Sequence, residues 1–165
     1  MKITNVECLV LDEEYPYVIL QTDEGITGFG ECFRRAPYVS KTTIETIFAP
    51  LIIGKSPFNS EEIWDSMLRA GGVAGPHGAL LTAAAGVDLA LWDLKGKVLQ
   101  RPVYELLGGT QKDKIFCYAT GFDLEWYLEL GFKAVKLPMP YSPLDGIEGL
   151  KKAEEIAIEA KKPGN

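Results

Sequence analysis

The chain has 165 residues, a formal net charge of −6 at pH 7, and 47% hydrophobic residues. This length and apolar content suit one domain, or one domain and part of a second, with a sizeable core. The acidic balance argues against a nucleic-acid partner, and the lack of any apolar run of about 18 residues argues against a membrane partner.

The amino-terminal segment predicts a three-stranded meander. Strands are expected over residues 2–11, 17–22 and 26–33, where Val and Ile recur in loose alternation. A turn at residues 12–16 joins the first two strands, and a tight loop that ends at Gly25 joins the second and third. Gly25 suits this loop because glycine adopts positive φ without a steric cost.

Two adjacent arginines, Arg34 and Arg35, follow the third predicted strand. One interpretation is a solvated charge pair ahead of the next helix. The other is a substrate-binding contact to a carboxylate, because a guanidinium group matches a carboxylate with two parallel hydrogen bonds. The sequence leaves both interpretations open.

Three helices are expected before residue 100. The first covers about residues 40–54, and the second follows Asn59, a residue type that suits the N-cap position. The third runs from near Gly78 to near Leu99, and its apolar residues recur every three or four positions around most of its surface. It is therefore expected to be buried on most sides, and Pro102 prevents it from continuing.

The pattern changes after Gly108-Gly109, which ends the helical region and serves as a linker. Strands are then expected to alternate with helices, as at the start of a parallel β/α barrel. We therefore expect one domain over residues 1–109 and the beginning of another over residues 110–165. The predicted elements of the second domain are a strand at 114–120, a helix at 123–130, a strand at 132–137 and a helix at 145–161.

Lys136 is the candidate catalytic residue of the second domain. Side chains alternate along a strand, so Val135 and Leu137 would face the covering helices while Lys136 faces the barrel interior. Barrels keep their active sites at the carboxyl ends of the strands, and an unpaired lysine is costly in a core. A catalytic or carboxylate-binding lysine is therefore favoured over one whose ammonium group merely reaches solvent.

Other reactive side chains are sparse. Cys8, Cys32 and Cys117 are an odd number without metal-ligand spacing, so reduced packing thiols in a cytoplasmic protein are expected. His77 is the single histidine, and its glycine-rich loop lacks the preceding strand and the Lys-Ser/Thr pair of a phosphate-binding loop. A histidine-based metal site or a Ser-His-Asp triad is therefore not expected.

The motifs at residues 86–97 and 102–109 resemble the signature of the enolase superfamily, in its mandelate racemase and muconate lactonizing branch. The hairpin at residues 22–31 is also similar to that of the family. The resemblance implies an α+β fold. An enolase N-terminal-like capping domain, made of a three-stranded meander plus helices, would be followed by an incomplete TIM-type β/α barrel start.

Residues 116–121, 136–138 and 145–150 resemble the rhamnonate dehydratase group of acid-sugar dehydratases within this family. In that group Lys-x-Pro replaces the Lys-x-Lys of other members, and a histidine on a later strand is the base. The resemblance implies removal of the proton α to a sugar carboxylate and β-elimination of water, with Lys136 in the site and Arg34 and Arg35 near the substrate. Pro138 disfavours the alternative of a racemase, epimerase or cycloisomerase, because proline cannot replace the second lysine.

Magnesium is the cofactor that the resemblance implies for the parent family, with three acidic ligands on barrel strands beyond Asn165. Only 56 residues follow Gly109, whereas a closed barrel takes about 200 or more. We therefore expect an amino-terminal piece of such an enzyme that binds no metal and is inactive alone. A non-catalytic interaction remnant is the alternative from another class. In either case exposed apolar surface around Val135 and Leu137 favours a homo-oligomer.

The predicted turn at residues 12–16 departs from many family members, which carry a long loop there that covers the active site and selects the substrate. The compact turn resembles that of the sugar-acid dehydratases. Substrate selection by this segment is therefore not expected.

Overall fold

The structure is a computed structural model that describes residues 1–72, 75 and 77–161. Its residues fall into an amino-terminal unit, Met1–Thr110, and a carboxyl-terminal unit, Gln111–Asn165. Within the described ranges, no helix is both long enough and apolar enough to cross a membrane.

The amino-terminal unit contains a three-stranded antiparallel sheet, as the sequence predicts. Its strands are β1 (Ile3–Leu11), β2 (Tyr15–Thr22) and β3 (Thr27–Glu31), and β2 lies in the middle. β2 begins two residues earlier than predicted because Tyr15 and Pro16 pair with the end of β1. The capping-domain meander is thereby confirmed.

Helical elements of the amino-terminal unit pack against this sheet or against the long helix that lies on it. The first predicted helix begins at Pro37 rather than near residue 40, since proline suits the first turn of a helix. Asn59 lies at the N-cap position, but its side-chain amide donates to the Glu62 carboxylate (3.2 Å) and accepts no backbone hydrogen bond. The helical elements are α1 (Pro37–Thr42), a π-helical segment (Thr43–Phe48), α2 (Ala49–Ile52), α3 (Ser60–Arg69), α4 (Gly78–Leu99) and α5 (Val103–Leu106).

The predicted glycine loop lies before α4, and the structure describes part of it. Val73, Ala74 and Pro76 lie outside the described residues. His77 is exposed at the N-cap position of α4, and its side chain makes no capping hydrogen bond.

α4 is the centre of the core. Its buried side chains pack with Val18 and Leu20 of β2, both of which are fully buried. Leu81 and Leu89 are exposed, however, so one side of the helix stays open although its sequence is apolar there. The apolar residues that α4 buries are Ala83, Ala84, Val87, Ala90, Leu91 and Leu94.

Glycines allow β3 and α4 to approach each other closely. A Cβ atom at Gly30 would lie 2.1 Å from the carbonyl oxygen of Gly86, and one at Gly28 would lie 2.4 Å from the carbonyl oxygen of Ala90. A Cβ atom at Gly86 would lie 2.2 Å from the Cys32 sulfur. No side chain fits at such distances in a close-packed interior. These glycines therefore set the distance between the helix and the sheet.

A lysine–glutamate pair covers the free edge of β1. The Glu45 carboxylate accepts a hydrogen bond from the Cys8 N–H (3.1 Å), while the Lys41 ammonium donates to the Cys8 carbonyl (2.6 Å) and to Glu45 itself (2.5 Å). Burial raises the pKa of Glu45, but the hydrogen bonds from Lys41 and Cys8 outweigh it, so the pKa lies below its ordinary value. The pair satisfies edge groups that would otherwise be open to another strand.

The opposite edge of the sheet, on β3, is covered in the same way. The Asp93 carboxylate of α4 accepts from the Phe29 N–H (2.8 Å), and the Lys97 ammonium donates to the Thr27 carbonyl (2.8 Å). Asp93 and Lys97 also form an i,i+4 ion pair, as Lys41 and Glu45 do. On both outer strands, a carboxylate thus accepts a hydrogen bond from a backbone N–H and a lysine donates one to a backbone carbonyl.

Replacing Glu45 with glutamine is expected to lower the free energy of unfolding by about 1 kcal/mol at neutral pH, because the charge beside Lys41 is lost. The lowered pKa means that the carboxylate stabilises the fold above its unfolded pKa of about 4.3. This contribution disappears as the pH falls through the lower folded-state value. Urea unfolding of wild type and E45Q should therefore differ at neutral pH and coincide in acid.

The control for this prediction is Glu61→Gln, because Glu61 is an exposed acid in the first turn of α3. It should leave the unfolding free energy within about 0.5 kcal/mol of wild type. Equal losses in E45Q and E61Q, or no loss in E45Q at neutral pH, would contradict the role given to the edge pair.

The carboxyl-terminal unit has a β-α-β arrangement with two parallel strands. Each paired strand is only two residues long, shorter than the predicted strands at 114–120 and 132–137, because among the described residues only Ala119–Thr120 and Val135–Lys136 pair with each other. An extended segment forms a strand only where its backbone hydrogen-bonds to a neighbouring strand. The elements are β4 (Ala119–Thr120), α6 (Leu124–Glu129), β5 (Val135–Lys136), a 3₁₀ turn (Pro143–Asp145) and α7 (Gly146–Glu159).

The three cysteines carry free thiols but differ in environment. Burial raises the pKa of Cys8 to about 11 and that of Cys32 to about 12, so both remain neutral core residues. Cys117 is exposed, so the expectation that all three serve packing is wrong for this one.

Candidate active site

The candidate site lies at the carboxyl ends of β4 and β5. Thr120 pairs with Lys136 in the parallel register, and Ala119 pairs with Val135. Paired side chains on neighbouring strands point to the same side of a sheet, and successive ones alternate. Thr120 and Lys136, both exposed, therefore share one face, while the half-buried Ala119 and Val135 share the other.

A cavity lies between strand β5 and the helices of the unit, and Ala134 is among its lining residues. Val135 and Leu137 line this cavity of about 320 Å³ together with Leu128 of α6 and Ala157 of α7. Lys136 is not among the residues that line it. The side chain of Lys136 therefore extends away from α6 and α7, at the strand end where β/α folds bind their ligands.

The ammonium group of Lys136 is available for an anion. The side chain is exposed, and within the described part of the chain it has no hydrogen-bonding or ion-pairing partner. Lysine offers three N–H donors and no acceptor. Lys136 can therefore form charge-assisted hydrogen bonds to a carboxylate. Pro138, two residues later, supplies no titratable group.

Arg34 and Arg35 lie in the amino-terminal unit, between β3 and α1, and both are exposed. The Arg34 guanidinium is 3.4 Å from the Glu14 carboxylate in the turn between β1 and β2. Such an exposed pair is weak and can exchange for another anion. Lys136 belongs to the other unit, so the structure describes the arginines and the lysine within separate units.

The described residues do not fit a magnesium site. Magnesium takes oxygen ligands, with carboxylates among them. In the ranges that the structure describes, no three acidic, histidine or cysteine side chains are grouped so as to hold a metal ion.

Sequence reasoning missed Tyr127, which contacts the backbone at the candidate site. Its hydroxyl donates to the Thr120 carbonyl (3.2 Å), although Tyr127 follows Thr120 by seven residues and lies on α6. The sequence feature that could have indicated this contact is Gly121, directly after the strand, because a glycine there indicates close approach of another group. The sequence alone did not identify tyrosine as that group.

Comparison with known families gives a match over most of the amino-terminal unit. The sequence model described as mandelate racemase / muconate lactonizing enzyme, N-terminal domain, matches residues 9–108. The protein named "Putative L-rhamnonate dehydratase" of Caldivirga maquilingensis is 40% identical over 144 residues, which is 87% of this chain and 36% of that protein.

Solved structures match both units of the chain. L-rhamnonate dehydratase from Gibberella zeae aligns with a TM-score of 0.81 at 28% identity, over 97% of this chain and 48% of that one. An enolase from Pantoea ananatis with bound D-gluconate and Mg aligns with a TM-score of 0.71 at 33% identity, over 85% of this chain and 37% of that one. The chain thus spans between about a third and a half of the length of these relatives.

Proposed function

Because the chain belongs to the mandelate racemase / muconate lactonizing enzyme family through its amino-terminal domain, we propose that it forms the capping domain and barrel start of an acid-sugar dehydratase. Residues 1–109 are the capping domain and residues 110–165 are the first two β/α units in this proposal. The observation that carries it is Lys136, an exposed lysine at the carboxyl end of β5 that has no partner among the described residues. The similarity of this chain to the Caldivirga protein supports L-rhamnonate or a related aldonate as the substrate.

Lys136 binds the substrate carboxylate in this proposal. When the bond between the α-carbon and its hydrogen breaks, the electron pair moves into the carboxylate, which then carries two negative charges. An ammonium group at that oxygen stabilises the added charge more than the original one, and this difference lowers the barrier. The α-proton passes to a general base that is not assigned to this chain. The bond from the β-carbon to its hydroxyl then breaks while a general acid protonates the departing oxygen, so that water leaves. The enol takes up a proton at the former β-carbon and becomes a 2-keto-3-deoxy acid.

The general base is not assigned to a residue of this chain, because Pro138 cannot accept a proton. Arg34 and Arg35 are proposed as further contacts to the anionic substrate. Arg35 is the better candidate of the two, since Arg34 already faces Glu14. Magnesium is proposed for the parent enzyme on the basis of the Pantoea structure, and the three free thiols suit a reducing cytoplasm.

Exposed apolar side chains of the carboxyl-terminal unit support self-association of this chain, although Val135 and Leu137, which were expected to be exposed, are half-buried. Ile115, Phe116, Leu144 and Ile147 are each more than 70% exposed. Patches of this kind usually contact another protein surface. We propose that the chain alone forms homo-oligomers. Sedimentation should then give an apparent mass well above the 18.1 kDa of one chain.

A chimera tests the proposed function. The 144 aligned residues of this chain would replace the matching region of the Caldivirga protein, and the product would receive magnesium and a panel of six-carbon aldonates. We expect 2-keto-3-deoxy product from at least one aldonate, at about a tenth or more of the rate of the unmodified Caldivirga protein, because the catalytic geometry is kept. The 165-residue chain alone should give no product.

Three outcomes would contradict this proposal. A folded chimera that turns over no aldonate accepted by the unmodified protein would remove the dehydratase assignment. Product formation by the chain alone would remove the claim that it needs further barrel strands. A racemised product without dehydration would favour an isomerase of the same family.

A further inference from the structure

The peptide group that joins Thr120 and Gly121 is held from two sides. Its carbonyl oxygen accepts a hydrogen bond from the Tyr127 hydroxyl (3.2 Å), and its N–H donates to the Lys136 carbonyl (3.1 Å). A peptide group is planar and resists twisting, so the contact that fixes its oxygen also directs its N–H. One rigid group thereby connects α6 to the carboxyl end of β5.

Tyr127 is held firmly enough to act as a fixed point. Only 9% of its surface is exposed. Its ring packs edge-on against Phe132, with centroids 6.5 Å apart, and lies 5.7 Å from the Trp126 ring. Its own carbonyl accepts from the Phe132 N–H (3.0 Å). The hydroxyl position is therefore set by packing on several sides rather than by the hydrogen bond alone.

Gly121 is the residue that lets the hydroxyl reach the strand end. Its φ is +149°, which side-chain-bearing residues rarely adopt, and a Cβ atom there would lie 2.0 Å from the Tyr127 oxygen. The tyrosine oxygen thus occupies the space that a side chain at Gly121 would need. Glycine and tyrosine fit each other at this position, and the fit fixes the end of β4.

We propose that Tyr127 is a positioning residue for Lys136. The inference rests on the proposed function, in which the Lys136 ammonium binds the substrate carboxylate. The Tyr127 hydroxyl orients the Thr120–Gly121 peptide, that peptide fixes the backbone of Lys136, and the backbone sets the direction in which the ammonium extends. Without the hydroxyl, the peptide can rotate and the productive position of the ammonium is populated less often, which slows catalysis without removing the charge.

A double-mutant cycle in the chimera tests this proposal. Tyr127→Phe keeps the ring and its packing but removes the hydrogen bond, and it should lower kcat/KM about tenfold. In a Lys136→Met background the same change should lower kcat/KM less than about twofold, because no ammonium remains to be positioned. Tyr118→Phe is the matched control, since Tyr118 is an exposed tyrosine just before β4, and it should change nothing.

The outcomes separate this inference from the proposed function. If Lys136→Met leaves kcat/KM unchanged, the proposed role of Lys136 fails. If Lys136→Met lowers it but Tyr127→Phe has no effect, or costs the same in both backgrounds, the positioning role of Tyr127 is wrong.

Amide hydrogen exchange on the 165-residue chain gives a second readout that needs no activity. The Gly121 N–H should exchange about tenfold faster in Tyr127→Phe, because the peptide that carries this N–H is no longer held in line with the Lys136 carbonyl. The Val18 N–H, in the middle strand of the other unit, should exchange as in wild type. Unchanged exchange at Gly121 would overturn the proposal whatever the chimera does.

Discussion

Replacing Gly30 with alanine is expected to destabilise the amino-terminal unit by about 3 kcal/mol, which is a large part of the stability of a small domain. The new Cβ atom would lie 2.1 Å from the Gly86 carbonyl oxygen and 2.7 Å from the Ala90 nitrogen. Both are backbone atoms of α4, so no side-chain rotation relieves the overlap. The helix must move away from β3, and this loosens the core around Leu91 and Leu94.

Urea unfolding followed by tryptophan fluorescence measures this loss. Gly25→Asn serves as a control in the same hairpin, because Gly25 has φ +77° and open space around it. Asparagine tolerates that conformation better than most residues, so this variant should stay within about 1 kcal/mol of wild type. A Gly30→Ala protein as stable as Gly25→Asn would show that α4 and β3 are not held at the distance described.

Gly86 offers a sharper form of the same test. A Cβ atom there meets the Cys32 sulfur at 2.2 Å, a side-chain atom that can be removed. Gly86→Ala should destabilise wild type but should cost far less in a Cys32→Ala background, because the sulfur that the new Cβ atom meets is then gone. In both backgrounds alanine gains about 1 kcal/mol of helix propensity over glycine, which offsets part of the cost. Equal losses in both backgrounds would assign the cost to something other than this contact.

Periodic features of the chain were predictable, and contacts between distant residues were not. The meander and α4 follow from alternation and from apolar spacing, which depend on neighbours a few residues apart. The exposed face of Lys136 follows from the same alternation at Val135 and Leu137. The edge pairs could not be derived, because Lys41 contacts Cys8 across 33 residues and Lys97 contacts Thr27 across 70.

The candidate site likewise contains one residue that the sequence pattern predicts and one that depends on a contact between elements. Lys136 was identified because a lysine between apolar strand residues is unusual, and the inward direction came with the strand period. Tyr127 was missed because its position on α6 suits any core aromatic residue. Only the hydrogen bond from its hydroxyl to the Thr120 carbonyl distinguishes it. Strand lengths in the carboxyl-terminal unit were overestimated, since apolar runs predict extended chain and not the presence of a neighbour.

Replacing Lys136 with methionine in the chimera is expected to lower kcat/KM by about 10²- to 10⁴-fold. Methionine keeps an unbranched chain of similar length but removes the charge that binds the substrate carboxylate. The side chain is exposed and unpartnered among the described residues, so the unfolding free energy should stay within about 0.5 kcal/mol of the parent. A loss of activity without a loss of stability would separate a catalytic role from a structural one.

Lys133→Met is the matched control for this substitution. Lys133 is also exposed, but it precedes β5 and lines the cavity with Val135 and Leu137, on the helix side of the strand. It should leave kcat/KM within about threefold of the parent chimera, because surface charge away from the substrate acts only weakly through solvent. Lys136→Arg should recover part of the activity, since the charge is kept while the planar guanidinium shifts the contact. If the two methionine variants lose activity equally, the carboxylate is bound elsewhere and Lys136 is a solvated lysine.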